Sequence, residues 1–432
     1  MHKDLEEDAA VAAARVLDTN WTGRYTVPAT GLYPHQWSWD SAFIAIGTRH
    51  REPTRARAEL HTLLDAQWPD GRVPQIVYDV ARDDEYAPGA DFWRAPTSGL
   101  VQPPVHAWAA WLVHCADPAG SAREDFLARV YPRLARWHEY LLGPRAGGVG
   151  LPVAKHPWET GTDNSPLWDV ALARIPPEAR TPIRRPDLRH AGSGERPGSR
   201  DYRRYYRLAE AYRDAGCADD VPIGFAMVCP LFTTALAVSE LALARMADAL
   251  SDAGGGAAHE ATAARLITAM DEHLWDESLG LYVALDDTTG AQVSRSTVNG
   301  LVPLLLARGP AALAAGRAEQ LLLTLTGSGF LGGGPFLPST ARDDPAFDPA
   351  LYWRGPAWFN TSWLLLRAVR ALGRVDVASR LLEQFAVARP EGFPEYVDPD
   401  TGTGRGTRQF SWTAALTLDA LVADEAAVLP DS

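Results

Sequence analysis

The chain has 432 residues, a net charge of −13 at pH 7 and a hydrophobic fraction of 46%. The acidic balance argues against a nucleic-acid partner or an anionic membrane surface, because both attract clustered positive charge. The hydrophobic fraction excludes wholesale disorder, and no apolar run reaches the roughly 18 residues of a membrane span.

Helical patterns dominate the sequence. Apolar residues recur at helical spacing, and several segments open with Pro or Asp, which favour a helix N-terminus. In chain order the predicted helices span residues 4–17, 40–49, 53–68, 104–115, 122–142, 201–215, 224–250, 260–275, 298–307, 310–326, 358–372, 375–387 and 410–422.

Strand patterns are few, and long loops connect the helices. Residues 281–285 and 291–294 flank the sequence DDTTG and predict one hairpin. Structureless loops as long as those predicted here are uncommon unless they are functional. These loops span residues 68–99, 143–163, 186–200, 327–352 and 390–409. No composition break or linker divides the chain, so we expect a single domain over residues 1–432.

The helix pattern fits an all-α double ring. Roughly a dozen helices form hairpins that can pair into six inner and six outer helices, an (α/α)6 barrel, although the same pattern also fits an α-solenoid. In a barrel, every inner helix points one end at a common central cavity. The long loops then gather on that face.

Tryptophan is unusually frequent, with 15 Trp against 12 Phe and 13 Tyr. A large core is one explanation. Carbohydrate binding is the other, because a flat indole stacks on the apolar face of a sugar ring. Trp residues at helix ends among polar residues favour the second explanation.

Two polar–aromatic clusters precede predicted helices in the first quarter of the chain. In YPHQWSWDSAF, Asp40 can cap the helix or accept hydrogen bonds from sugar hydroxyls. Gln102 follows the cluster YAPGADFW and lies just before a Pro-initiated helix, where its amide can donate and accept. Either side chain can instead serve the local backbone alone.

The segment HPWETGTDNSPLWD, residues 156–169, is the best candidate for a general acid. It holds Glu159 and Asp163 close to Trp158, and Gly161 permits a tight turn. A carboxyl group beside indoles is desolvated, so its pKa rises and it can stay protonated near neutral pH. A simple capped turn is the structural alternative.

Two further clusters lie near the C-terminus, YWRGPAWFNTSW at residues 352–363 and GFPEYVDPDTG at residues 392–402. The second places Glu395 in a loop flanked by prolines. Carboxyl groups on opposite sides of a cavity favour glycoside hydrolysis, because one protonates the leaving oxygen while the other activates water.

Together, GTDNSPLWD, YWRGPAWFN and FPEYVDPDTG resemble glycoside hydrolase family 63, and the resemblance runs from about residue 33 to residue 412. It implies an (α/α)6 barrel and an inverting mechanism. By this resemblance Asp163 matches the general acid and Glu395 matches the general base. The resemblance also implies substrate-binding roles for Tyr33, Trp37, Trp39, Asp40, Gln102, Trp158, Gly161, Tyr352, Trp353, Trp358 and Gln409.

The compact length is similar to that of bacterial members that cleave the α-glycosidic bond to D-glycerate, in glucosylglycerate or mannosylglycerate. Such a small anionic substrate requires a cation, and Arg196 fits because a guanidinium binds a carboxylate bidentately. Tyr86 and Tyr202 match its partner positions. The basic stretch 184–207 can steer an anion inward. The choice between glucose and mannose stays open.

Two alternatives remain at this point. The same fold can act on trehalose or on the terminal glucose of an α-glucan, and a non-catalytic α-toroid can bind sugars or proteins. No cofactor or metal is implied, since the sequence lacks an HExxH motif and the mechanism needs only two carboxyl groups and water. The N-terminus MHKDLEEDAA lacks a signal pattern and the three cysteines are scattered, so we expect a cytoplasmic protein, with a homo-oligomer possible.

Overall fold

The computed structural model describes residues 2–192, 194–309 and 312–422. The described residues are mainly helical, with a few short strands. The α-helices are α1 His2–Thr19, α2 Ser38–Thr48, α3 Pro53–Asp65, α4 Ala90–Trp93, α5 His106–Ala116, α6 Pro118–Arg123, α7 Phe126–Leu142, α8 Asp169–Ala173, α9 Ser199–Asp214, α10 Pro230–Ala249, α11 Gly255–His273, α12 Arg317–Thr326, α13 Phe359–Ala371, α14 Val375–Ala386 and α15 Ser411–Val422.

The strands are two or three residues long. They are β1 Gln36–Trp37, β2 Ile76–Val77, β3 Val153–Ala154, β4 Met227–Val228, β5 Trp275–Asp276, β6 Leu281–Tyr282, β7 Ala284–Asp286, β8 Ala291–Val293, β9 Ala357–Trp358, β10 Tyr396–Val397 and β11 Gly404–Arg405. The predicted hairpin is confirmed in β7 and β8, which pair antiparallel. It extends into a four-stranded sheet of order β3-β4-β7-β8.

Several predicted helices differ from the structure. The helix predicted over 224–250 begins at Pro230, because Met227 and Val228 form β4. The helix predicted over 122–142 is divided between α6 and α7, because Asp125 adopts a left-handed φ of 50°. Residues 298–307 form two 3-10 turns, Val298–Gly300 and Val302–Leu306, since Pro303 disfavours helical geometry in the residue before it. The helix predicted over 310–326 starts at Arg317, and residues 310 and 311 lie outside the described residues.

Helix packing contacts form a series that returns to its start. They run from α2 to α5, α10, the 3-10 turn Val302–Leu306, α13 and α15, and α15 packs on α2. Each member of this series also packs against a second helix: α3 on α2, α7 on α5, α11 on α10, α12 on the turn, α14 on α13 and α1 on α15. No helix in the described ranges is long and apolar enough to cross a membrane.

A buried charge cluster joins three members of the series. Asp419 on α15 accepts hydrogen bonds from the Trp363 indole (2.7 Å) on α13 and from His50 (2.9 Å), just beyond α2. Its oxygens also lie 2.6 Å from Arg49 Nη2 and 3.8 Å from Arg367 Nη1. Burial acts to raise the pKa of Asp419, but Arg49 and the other donors hold it well below its ordinary value.

We predict that Asp419→Asn lowers the free energy of unfolding by about 3 kcal/mol, because it leaves buried guanidinium groups without a counter-charge. Urea denaturation measures the change. Since the folded-state pKa is depressed, the stabilisation is present above the ordinary Asp pKa of roughly 4 and is lost as the pH falls through the folded-state value.

The matched control is Asp376→Asn, which removes the exposed ion pair between Asp376 on α14 and Arg374, the residue just before that helix. We expect no measurable shift of its urea midpoint. Equal stability of the Asp419 variant and the wild type would show that this cluster does not hold the helices together.

Candidate active site

One cavity of about 100 Å³ collects the predicted site residues at the ends of the inner helices and their loops. All of them except Gln409 line it. Those that do are Tyr33, Trp37, Trp39, Asp40, Tyr86, Gln102, Trp158, Gly161, Asp163, Arg196, Tyr202, Tyr352, Trp353, Trp358 and Glu395.

Gln409 lies outside the cavity. Its side chain is exposed, its φ is +53°, and its backbone carbonyl accepts a hydrogen bond from Asn20 Nδ2 at 2.8 Å. The neighbouring Phe410 and Trp412 line the cavity in its place. The residues that line the cavity at this point are therefore aromatic, whereas the residue predicted from the sequence is polar.

The loop that carries Asp163 is held by close packing at Gly161 and by a hydrogen bond from a tyrosine to its backbone. It follows β3 and the 3-10 turn Pro157–Thr160, and Gly161 ends that turn with a φ of +74°. A Cβ atom at Gly161 would lie 2.5 Å from the Trp39 ring, so this glycine is required by close packing. The Tyr205 hydroxyl donates to the Asp163 carbonyl at 2.9 Å and fixes the residue itself.

Glu159 also holds the loop that carries Asp163, and its side chain is fully buried. Its carboxylate accepts two hydrogen bonds from Arg145, at 2.7 and 2.8 Å. It also accepts from the backbone N–H groups of Lys155 (2.6 Å) and Val101 (3.2 Å). Because Val101 precedes Gln102, one carboxylate ties the Asp163 loop to a second segment of the cavity wall.

A three-stranded sheet of order β11-β10-β9 positions Glu395. Glu395 directly precedes β10, where Tyr396 pairs with Arg405 on one side and Trp358 on the other. Its N–H donates to the Thr407 carbonyl at 2.9 Å. The base candidate is therefore built on paired backbone, which limits its movement.

The carboxylate of Glu395 is 2% exposed and receives several donors. Arg196 Nη2 donates to Oε2 at 2.5 Å, and the Tyr33 hydroxyl donates to Oε1 at 2.9 Å. The Tyr352 hydroxyl lies 3.5 Å from Oε1, and the Thr407 N–H lies 3.4 Å from Oε2. The sequence predicts an anion-binding role for Arg196, whereas in the structure its partner is the base candidate.

Desolvation shifts the pKa values of two further carboxyl groups that line the cavity, Asp163 and Asp40. The pKa of Asp163 is raised to about 7, chiefly by desolvation, with Arg196 opposing the shift and Glu395 adding to it. The pKa of Asp40 is raised well above its usual range by desolvation and by the negative charge of Glu395. Asp163 therefore has the protonation behaviour of a general acid near neutral pH.

Aromatic side chains form the opposite wall. Trp353 and Trp358 stack with centroids 3.8 Å apart, and the Trp358 indole N–H donates to the Tyr352 carbonyl at 3.0 Å. Asn164 Oδ1 accepts from the Trp353 N–H at 2.8 Å. The residue after the acid candidate thus connects the acid loop to the aromatic wall.

The first predicted cluster lies at the start of α2. Trp37 belongs to β1, which pairs with β2, while Asp40 lies in the first turn of the helix. Gln102 Oε1 accepts from the Trp39 N–H at 3.2 Å, so part of its amide supports the protein backbone. Its amide nitrogen is the part that can donate to a ligand.

Asp187 lines the cavity and was not predicted. It accepts from Tyr202 at 3.0 Å and forms a two-bond pair with Arg185, whose guanidinium lies 3.5 Å above the Tyr202 ring. Tyr86 packs edge-on against Trp37 nearby, with centroids 5.0 Å apart. The only sequence signal for Asp187 is its position as a lone acid in the run RRPDLR.

Comparison with known proteins supports one assignment. The profile of the mannosylglycerate hydrolase MGH1-like glycoside hydrolase domain matches residues 33–413. The chain is 40% identical to the mannosylglycerate hydrolase of Rubrobacter radiotolerans, over 96% of this chain and 97% of that protein. It is 34% identical to the glucosylglycerate hydrolase of Mycolicibacterium hassiacum, over 95% and 97%.

Among solved structures, the GH63 mannosylglycerate hydrolase from Thermus thermophilus in complex with Tris and D-glycerate matches with a TM-score of 0.88 and 36% identity. The match covers 95% of this chain and 99% of that chain. The expected resemblance to glycoside hydrolase family 63 is confirmed, and the chain belongs to the mannosylglycerate hydrolase MGH1-like family of glycoside hydrolases.

Proposed function

We propose that the chain is an inverting α-glycosidase that hydrolyses glucosylglycerate, mannosylglycerate or both to hexose and D-glycerate. The observation that carries this proposal is one cavity lined by both Asp163, with its raised pKa, and the buried carboxylate of Glu395. The names of the similar enzymes support the same substrate class.

The fold proposal is a single (α/α)6 barrel over residues 1–432. The closed series of packing contacts supplies six inner elements, and their second partners supply six outer helices. In this arrangement the fourth inner element is the 3-10 turn Val302–Leu306 in place of a full helix. The cytoplasmic location and the homo-oligomer stay predictions.

In the proposed reaction, Asp163 donates its proton to the glycosidic oxygen as the bond from that oxygen to the anomeric carbon breaks. Water attacks the opposite face of the anomeric carbon, and Glu395 takes the proton that the water loses. The hexose leaves as its β-anomer, and D-glycerate leaves with a restored hydroxyl group. The Trp353–Trp358 stack and Asp40 hold the sugar, through its apolar face and its hydroxyls respectively.

The aglycone carboxylate is assigned to Arg196, with Tyr86 and Tyr202 beside it. Arg196 is 3% exposed, lines the cavity and has a buried Nε donor without a hydrogen-bond partner. Neutral substrates such as trehalose or an α-glucan offer no anion to this guanidinium. The glycerate glycosides are therefore the better chemical match.

The deciding experiment is a hydrolysis panel of glucosylglycerate, mannosylglycerate, trehalose and maltose, followed by NMR. We expect β-hexose to appear first and only from the glycerate glycosides, because the attack inverts the anomeric carbon. Turnover of trehalose or maltose alone would overturn the glycerate assignment while keeping the two carboxyl groups. Release of α-hexose as the first product would overturn inversion.

Two variants separate the roles of the carboxyl groups. We expect Asp163→Asn to lose about 100-fold or more of kcat on glycerate glycosides but little on the α-glycosyl fluoride, since fluoride leaves without protonation. Glu395→Gln should lose about 100-fold or more on both, because water activation is needed in each reaction. Steady-state kinetics with a glycerate glycoside and with the α-glycosyl fluoride measures the two losses of kcat.

The matched control is Asp400→Asn, which removes a half-exposed carboxylate from the Glu395 loop outside the cavity. It should behave as the wild type on both substrates. An Asp163 variant that loses fluoride hydrolysis as severely as Glu395→Gln would contradict the division of roles.

The pH profile tests the protonation state of Asp163. Because its pKa is raised to about 7, the acid is protonated below this pH and ionises as the pH rises through it. We expect kcat/KM on glycerate glycosides to fall about tenfold per pH unit on the alkaline side. Hydrolysis of the α-glycosyl fluoride should lack this alkaline decline, and the same decline for both substrates would assign it to another group.

A further inference from the structure

The position of Arg196 carries an inference that rests on the proposed function and goes beyond it. Its guanidinium donates from Nη2 to Glu395 Oε2 at 2.5 Å and from Nη1 to the Tyr33 hydroxyl at 3.0 Å. It also lies 4.4 Å above the Tyr352 ring. One buried cation therefore contacts the base candidate and faces the cavity at the same time.

The donors around Glu395 leave little room for its proposed role. A carboxylate has about four lone-pair sites, and Arg196, Tyr33, Tyr352 and the Thr407 N–H approach its two oxygens within 2.5–3.5 Å. A general base needs a lone pair directed at the attacking water. The charge-assisted bond from Arg196 is the shortest of the four contacts, so it is the main restraint on the base.

We infer that the aglycone carboxylate releases this restraint: it takes over the Arg196 guanidinium and thereby frees Glu395 to accept a proton from water. The anionic charge of the substrate then sets the turnover rate as well as the affinity. Arg196 is a specificity-determining residue that acts through Glu395.

Charge pairing is conserved in this exchange. Arg196 leaves one carboxylate and gains another, and its unpartnered Nε can join a bidentate contact. Glu395 keeps the Tyr33, Tyr352 and Thr407 donors, so its buried charge stays hydrogen-bonded.

The test uses the α-glycosyl fluoride of whichever hexose the enzyme accepts. Fluoride is small, so added D-glycerate can occupy the aglycone space during the reaction. We expect D-glycerate to raise kcat for the fluoride about tenfold by freeing the base. Glycerol, which has the same carbon skeleton without the charge, should have no such effect.

The Arg196→Gln variant provides the second arm. We expect it to hydrolyse the fluoride about tenfold faster than the wild type and to show no response to D-glycerate, because its base is already free. Arg203→Gln removes an exposed arginine from the same basic stretch, outside the cavity, and should respond to D-glycerate as the wild type does.

Several results would overturn the inference. No effect of D-glycerate on the wild type, or inhibition by it, would mean that Arg196 only binds the anion. Slower fluoride hydrolysis by the Arg196 variant would mean that Arg196 holds Glu395 in its active position. If the variant does not fold, as judged by its melting temperature, the wild-type response to D-glycerate still decides.

The two proposals fail separately. If the wild type does not hydrolyse any glycerate glycoside, the proposed function is wrong. If it does, and D-glycerate does not stimulate fluoride hydrolysis, only the coupling between Arg196 and Glu395 is wrong.

Discussion

The placement of four carboxyl groups around one cavity is the constraint on which the site depends. Asp40, Asp163, Asp187 and Glu395 all line it, and like charges in one desolvated space cannot all stay ionised without compensation. Desolvation raises the pKa values of Asp40 and Asp163, whereas Glu395 is paired with the Arg196 guanidinium and Asp187 with that of Arg185. Different partners therefore give these carboxyl groups different electrostatic environments, although all of them carry the same functional group.

A second buried ion pair, between Glu159 and Arg145, holds the loop that carries Asp163. Glu159 and Arg145 are both fully or almost fully buried, and together they bind the loop before Asp163 to the segment before Gln102. Breaking a buried pair of this kind is costly, because one charge is left uncompensated. The loop of the acid candidate is therefore firmly held. The segment around Arg196 contacts the loop of Glu395 through side chains, with Arg196 bound to Glu395 and Glu195 bound to Arg405.

Much of the helical pattern could be read from the sequence, because apolar periodicity is a local property. Trp39, Asp40 and Trp358 were also placed correctly beside helix starts, and their clusters meet in one cavity. The three-stranded sheet around Glu395 could not be predicted, since two-residue strands have no period to detect. The ion pairs of the site could not be predicted either. Arg196 and Glu395 are 199 residues apart in the sequence, and Asp187 is a single acid among arginines.

Gln409 shows the limit of reading a site from residue type. An amide beside the base loop suggests a sugar contact, yet the left-handed backbone at this position leaves the amide exposed and gives the cavity wall to Phe410 and Trp412. Local backbone conformation decides which neighbour faces the cavity, and a sequence pattern does not contain that information.

The contact between Gly161 and the Trp39 ring has a consequence for protein engineering. Since even a methyl group at residue 161 would collide with the indole, the loop of the acid candidate tolerates only glycine at this position. Space for a bulkier ligand can therefore be gained at Trp39, which lines the cavity, but not by substitution at residue 161. The size of the pocket can thus be varied at Trp39 while Gly161, on the other side of the contact, keeps the geometry of the proposed acid loop.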